Sequence, residues 1–471
     1  MSHNVPMKFT HLRPDNRTSA ARLLRLPNHS LSWRIPWGLL ALALTIGVGS
    51  GLGAVAFRWL IDTFTLLFSG HEDYAAAGHA AHPYVPQLGM WFLLLVPPLG
   101  GLLYGPLIEK FANEARGHGV PEVMASVTHD GGRIAPRVVL VKSLASALCI
   151  GSGGSVGKEG PIVQIGSALG SVFGRLARMD GSRLRLLVAC GAAGGIAATF
   201  NAPLAGVFFA MELILGEFTV RTFGLLVLSS ATASVLSRVL VGGELFLTLP
   251  PFDVDHPAEY LLFAGVGVAA GAVGAGFARL LYLVEDTVAR IWRGPEWLRP
   301  AAGGLLLGAL LLALPQLYGV GYPALRNAIE GQYVLWFLLA LLVGKMLATS
   351  LTLGIGGSGG VFAPSLFLGA VFGTACGMLM HSVAPALAGP AGAYGVVGMG
   401  AVFAGATRAP ITATIVIVEL TGEYALLLPL MLAVVLATGV SRLLSAETIY
   451  TMKLRRREAE PDLSPLPAAR G

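Results

Sequence analysis

Long apolar blocks alternate with short polar breaks along most of the chain. Ile35–Phe68, Met90–Leu107, Arg221–Val241, Tyr260–Val284, Ala301–Leu317, Tyr333–Leu353 and Ile411–Val440 are each long enough to span or half-span a bilayer. One full helical crossing takes about 20 residues. The pattern predicts a polytopic helical membrane protein. Composition agrees, with 54% hydrophobic and only 12% charged residues. The charged share is about half that of soluble domains, and the mean hydropathy is +0.70.

Charge matters chiefly at the ends. The net +6 is carried largely by Lys8, Arg13, Arg17, Arg22, Arg25 and Arg34 before the first block, and by Lys453, Arg455, Arg456 and Arg457 after the last. Excess Lys and Arg beside spans marks the cytoplasmic side, so both tails are expected there. Because these tails flank spans, no nucleic-acid partner is expected. Residues 1–34 have no short apolar core followed by a cleavage site, so no cleaved signal peptide is expected. The short stretch 453–471 after the last block leads one to expect no regulatory domain there. Ser69–Gly89 lacks Lys and Arg but holds His71, Glu72, Asp73, His79 and His82. It reads as a solvated external loop rather than a metal site. Cys149, Cys190 and Cys376 lie in apolar runs and read as small core side chains, with no metal or disulfide spacing.

Residues 151–161 read GSGGSVGKEGP, superficially a nucleotide loop. A phosphate loop needs G-x-x-x-x-G-K-[ST]. Here Ser152 stands at the first glycine, and Glu159, which repels phosphate, stands at the hydroxyl position. A nucleotide-driven pump is therefore disfavoured. The stretch has a copy instead. Gly151–Gly174 aligns without gaps on Gly354–Gly377, matching Gly151, Gly153, Gly154, Ser155, Gly157, Pro161, Gly166, Gly170 and Gly174 to residues 203 positions later. Ala202-Pro203 precedes Glu212-Leu213 at the spacing that separates Ala409-Pro410 from Glu419-Leu420. The chain thus divides into two copies of one unit, 35–241 and 258–452, joined by 242–257.

Glycine-rich backbone followed by proline predicts a loop that runs into a helix. Such a start leaves amide N–H groups unpartnered at the positive end of the helix dipole. Within a membrane these groups call for something negative. Paired Gly/Pro-interrupted segments are also the sequence pointer to a transporter's binding site. Two half-helices starting near Gly160 and Ala363 would aim their positive ends at one point, an anion site. Glu159 sits where the anion would. An ionised carboxylate at mid-membrane costs at least ~2.5 kcal/mol, yet helix-start amides solvate it as they would a free anion. Glu159 is thus a built-in competitor that swings away or protonates; the alternative is an acid that merely caps its helix. Lys158 and Lys142 add positive potential. For Lys142 and Lys345, a paired or snorkelling side chain is the alternative to attracting anions.

Over roughly 35–454 the chain resembles the CLC chloride channels and chloride/proton antiporters. The G-[KR]-E-G-P motif is Gly157-Lys158-Glu159-Gly160-Pro161, and G-x-F-x-P is Gly360-Val361-Phe362-Ala363-Pro364. The stretch Phe200-Asn201-Ala202-Pro203-Leu204-Ala205-Gly206 is also typical. The resemblance implies an all-α inverted repeat of many short tilted helices, assembled as a homodimer with one anion pathway per subunit. It implies that Glu159 is the external gate. Amides of Val361 and Phe362 and the Tyr450 hydroxyl would hold a central chloride, and amides around Lys158 to Gly160 would form an outer site.

The sequence departs from the family in two places. The first selectivity motif, usually G-S-G-[IV]-P, is Gly117-His118-Gly119-Val120-Pro121. His118 can still donate to an anion and can become cationic, but it is larger than serine and could narrow the inner mouth. Many antiporters also carry two consecutive glutamates, the second moving protons at the inner side. Here they are Glu212 and Leu213. Glu212 recurs as Glu419, which suggests a structural contact at a helix end or a dimer interface. Leucine carries no proton, so passive, channel-like chloride transport is expected, with proton exchange as the alternative. A remote alternative is an intramembrane serine protease, built on Gly356-Gly357-Ser358-Gly359 with His381 as base. Chloride is the expected bound substrate in a lipid bilayer of the bacterial inner membrane, and no cofactor, metal site or enzymatic activity is expected.

Overall fold

The structure, a computed structural model, describes residues 37–242, 247 and 256–459, with side chains as far as Arg456. Lys8 through Arg34, most of the 242–257 connection and the Arg457 side chain lie outside the described residues. The described part is all-α, with isolated β-bridges and no strand. The first half contains α1 (Trp37–Ser69), α2 (Tyr74–Ala77), α3 (Phe92–Phe111), α4 (Val120–Thr128) and α5 (Arg137–Gly151). It continues with α6 (Glu159–Leu176), α7 (Gly181–Phe200), α8 (Pro203–Phe209), extended by a π-turn to Leu215, and α9 (Val220–Val241). The second half runs α10 (Glu259–Ile291), α11 (Arg299–Ala313), α12 (Tyr322–Ile329), α13 (Leu335–Gly354) and α14 (Phe362–Val383). It ends with α15 (Ala391–Thr407), α16 (Pro410–Thr421), α17 (Leu427–Leu444) and α18 (Thr451–Ala459). Among the described residues, nine helical segments are long and apolar enough to cross a membrane.

Helices of one half have counterparts in the other. α1 and α10 both span 33 residues. α6 packs on α7 as α14 packs on α15, through glycines spaced by four, the small-residue spacing that lets helices approach closely. Any Cβ added at Gly166 or Gly170 would strike the α7 backbone, and one at Gly369 or Gly373 the α15 backbone. Helices α4, α6, α8, α12, α14 and α16 each carry a proline in the first turn, namely Pro121, Pro161, Pro203, Pro323, Pro364 and Pro410. Backbone angles repeat too. Gly153 and Gly356 have φ 96° and 98°, and Asn201 and Arg408, which end α7 and α15, have φ 57° and 56°.

The structure differs from two expectations. The apolar block 411–440 is two helices, because Gly422 takes a left-handed φ of 73° that ends α16. Residues 69–89 are not simply a solvated loop. Tyr74 is fully buried, its ring 5.2 Å from that of Tyr318, and its hydroxyl donates to the Ala80 carbonyl at 2.8 Å. His71, His79 and His82 are engaged by Ser69 O, Leu312 O and the Tyr84 N–H.

Candidate functional site

The three motif loops are laced together through backbone. Gly157 N–H donates to Gly360 O at 2.8 Å, and Gly360 N–H returns to Gly157 O at 2.6 Å. Gly117 N–H donates to Gly357 O at 3.1 Å, and Gly359 N–H to Gly117 O at 3.2 Å. The starts of α4, α6 and α14 therefore meet. Their approach requires glycine: a Cβ on Gly160 would collide with His118 O, and one on Gly119 would come within 2.5 Å of Gly160 O. Val361 and Phe362 are the cap and first residue of α14, where amides have no partner within the helix. Pro161 and Pro364 lie in the first turns of α6 and α14, and neither has an N–H to compete there.

Glu159 is 1% exposed and turns its carboxylate to the start of α14. Its Oε2 accepts the Ala363 N–H at 3.3 Å, and its Oε1 accepts the Tyr322 hydroxyl at 2.6 Å. Only glycine at 157 leaves room for Oε2, since a Cβ there would overlap it. Lys158 sits over the Tyr322 ring, 5.3 Å from its centroid. Both face a cavity of about 100 Å³ lined also by Arg58, Asp62, Asp73 and Tyr318.

His118 and Tyr450 lie on the other side of this meeting point. His118 is 2% exposed, and its Nδ1 is buried without a protein partner, as is the Tyr450 hydroxyl. His118 stacks on Tyr282 with centroids 6.1 Å apart. Tyr282 donates to Ile449 O at 2.5 Å, beside Tyr450, while Ile449 N–H bonds Ala406 O at 3.0 Å. Arg456 of α18 covers the Tyr282 ring at 4.6 Å and pairs with Asp286. His118 Nδ1 and the Tyr450 hydroxyl are thus two buried donor-capable groups, and the ring of Phe362 at the start of α14 packs with those of Phe200, Phe209 and Phe403. Such groups suit a small anion.

The buried lysines serve the loops. Lys142 donates to Ala115 O and Gly117 O at 3.0 and 2.9 Å. Its counterpart Lys345 donates to Ser155 Oγ, Gly319 O and Val320 O at 2.9, 3.2 and 2.9 Å. Glu212 accepts from Ile411 and Thr412 at the start of α16, and Glu419 from Leu204 and Ala205 at the start of α8. Both acids make a helix-end contact, one of the structural roles the sequence suggests for them. Leu213 is partly buried and packs against the apolar core. The structure does not assemble Ser358 with His381. Ser358 Oγ is engaged by Ser146 and Ala115 O, whereas His381 lies near the far end of α14, bonded to Ala388 O.

Sequence reading missed Tyr322. The signal was present, since Gly319-Val320-Gly321-Tyr322-Pro323 copies Gly117-His118-Gly119-Val120-Pro121. Gly119 and Gly321 share φ 87°.

Facing half-helix starts inside a bundle of apolar spans, with an acid lodged between them, define a membrane protein built to handle anions. A sequence model of the family described as Voltage gated chloride channel matches residues 100–442, and the chain belongs to that CLC family. It is 36% identical over 423 residues to a ClcB-like protein of Ralstonia nicotianae, covering 89% of this chain and 97% of that one. It is 33% identical over 432 residues to the H(+)/Cl(-) exchange transporter ClcA of Vibrio cholerae, covering 90% of each. The structure of a slow cyanobacterial Cl-/H+ antiporter superposes with a TM-score of 0.80 at 25% identity, over 91% of this chain and all of that one. The protein is a multi-pass membrane protein of the inverted-repeat CLC fold, and its family work is anion transport.

Proposed function

We propose that the chain conducts chloride passively, with Glu159 as the gate. The observation that carries this reading is the Glu159 carboxylate lodged against the first amides of α14, where an anion would sit. In its place a chloride would meet the Ala363 N–H, while a central chloride would be held by the amides of Val361 and Phe362 and the Tyr450 hydroxyl, with His118 at the inner side. The amides from Lys158 to Gly160 form the outer site. Leu213 supports uncoupled transport, because no acid stands at that position to deliver protons.

A second reading, proton-coupled exchange, has its own support. A cavity of about 1020 Å³ runs from Glu114, Glu122 and Arg137 up to Gln164 of α6. Gln164 is five residues from Glu159, about 7.5 Å along the helix axis. Water there offers protons a path that bypasses Leu213. The likeness to a named exchanger and to a named antiporter points the same way.

The protein works as a homodimer in the bacterial inner membrane with both termini cytoplasmic. Exposed apolar side chains on α8, α9, α16 and α17, among them Leu204, Val235, Val239, Ile411, Leu428 and Val435, offer a surface for a second copy.

The test is flux from liposomes holding an outward chloride gradient, with external chloride and pH recorded together. Passive conduction releases chloride only when an ionophore supplies counter-charge, and moves no protons. Proton uptake against its own gradient would establish exchange. Glu159→Ala is expected to leave flux intact or faster and to abolish any proton coupling; a well-folded but inactive variant would overturn the gate.

A further inference from the structure

The element that holds Glu159 in place comes from the other half of the chain and is not part of the motif that carries the acid. Tyr322 opens α12 and gives its hydroxyl to Glu159 Oε1 at 2.6 Å. This is a short bond, and it is charge-assisted whenever Glu159 is ionised. The phenol's position is itself held. Lys345 donates to Gly319 O and Val320 O just before Tyr322, and to Ser155 Oγ on the loop that leads to Glu159. One buried ammonium therefore sets the tyrosine loop against the glutamate loop. Lys158, adjacent to the gate, lies over the same ring.

From this geometry we infer that Tyr322 is a positioning residue, a latch whose hydroxyl keeps the ionised Glu159 carboxylate across the outer side of the anion site. The inference rests on Glu159 being the gate. Opening by either route must break the latch. Protonation of Glu159 removes the charge that makes the bond strong, and an outward swing removes the acceptor. Neither step requires Tyr322 to lose its proton, so the phenol stays a donor throughout.

The magnitude follows from the bond. A hydrogen bond to a charged group stabilises by an amount equivalent to roughly a ten- to hundredfold change in an equilibrium. Tyr322→Phe keeps the ring and its contact with Lys158 but deletes the latch. Without it, the ionised closed state weakens by that factor. In liposomes, chloride flux at neutral pH is expected to rise several-fold. The acid activation of flux is expected to move to higher pH by about one to two units.

The decisive comparison repeats Tyr322→Phe in a Glu159→Ala background, where it should change nothing further. An unmoved pH profile in Tyr322→Phe, or an equal change in flux with and without Glu159, would overturn the latch. The gate is tested separately. If Glu159→Ala alone retains the pH dependence of the parent, the gate reading fails whatever Tyr322 does. Should Tyr322→Phe not fold, a fluorinated tyrosine at position 322 donates more strongly, and it must move the profile to lower pH. Movement in the other direction would sink the latch as surely as none.

Discussion

Glu212 and Glu419 offer a test of whether the acid beside Leu213 is structural or conducts protons. Glu212 accepts the Ile411 N–H at 3.2 Å, the Thr412 N–H at 2.7 Å and the Thr412 hydroxyl at 2.7 Å. Glu419 accepts the Leu204 and Ala205 N–H groups at 3.0 and 2.7 Å. Each acid thus caps the start of a short helix from the other half, where the dipole favours negative charge. Hydrogen bonds to charged groups contribute roughly 1.5–3 kcal/mol each, but half-exposed helix-end amides recover part of that from water. Glu212→Ala should therefore cost about 2–4 kcal/mol and Glu419→Ala about 2–3 kcal/mol. Because both caps lock α8 to α16, the double variant should fall short of the sum. Glu212→Gln keeps one acceptor oxygen but sets an amide donor against a second N–H, and should lose about half as much. The assay is the temperature at which detergent-solubilised protein loses its monodisperse peak, expected to drop by a few degrees, alongside liposome flux at a permissive temperature. A Glu212→Gln protein with parental thermal stability and an altered pH dependence of flux would refute the cap and place Glu212 on a proton path.

Three further outcomes are expected. His118→Ser exchanges a ring nitrogen for a hydroxyl beside Tyr282, and one hydrogen bond shifts relative preference among chloride, nitrate and fluoride by roughly two- to tenfold; unchanged selectivity in competition flux would reduce His118 to packing on Tyr282. Leu213→Glu supplies the missing inner acid and should produce measurable proton movement with chloride; if protons still do not move, the barrier lies elsewhere on the route. Lys142→Met removes one of the two donors to each of the Ala115 and Gly117 carbonyls, which keep Ser358 Oγ and the Gly359 N–H, and should lower thermal stability by about 1–3 kcal/mol with anion affinity unaltered. Weakened chloride binding at normal stability would instead make Lys142 an anion attractor.

Much of this architecture is legible in the sequence because membranes make backbone chemistry strict. Glycine and proline cannot interrupt apolar runs without leaving polar groups to satisfy, so their recurrence at 151–174 and 354–377 located the half-helix starts to within a residue or two. What was not legible depends on contacts far apart in the chain. Nothing near Glu159 announces a phenol 163 residues away. Hydropathy cannot see Gly422 dividing one apolar block, because ending a helix there depends on a left-handed turn and not on polarity. Nor can charge alone separate a lysine that attracts ions from one that binds three loop oxygens, as Lys345 does.

The repeat also suggests where function resides. Backbone geometry is shared between the copies, down to matching φ angles at Gly153 and Gly356, so the frame alone would build a symmetric anion site open alike to both faces. The side chains at matched positions break that symmetry. Lys158 and Glu159 on the first copy correspond to Val361 and Phe362 on the second, and Val120 and His118 correspond to Tyr322 and Val320. Every ionisable or hydroxyl-bearing member of these pairs lies on one side of its pair only. Asymmetry enters through those four pairs: an acid bonded by a phenol at one place, and at another a buried histidine stacked on Tyr282, which Arg456 covers. On this reasoning, exchanging Tyr322 with Val120 should disturb gating, read as a shifted pH profile of chloride flux, although the flanking Gly119 and Gly321 are the same in both copies. The glycines are alike, and the side chains between them are not.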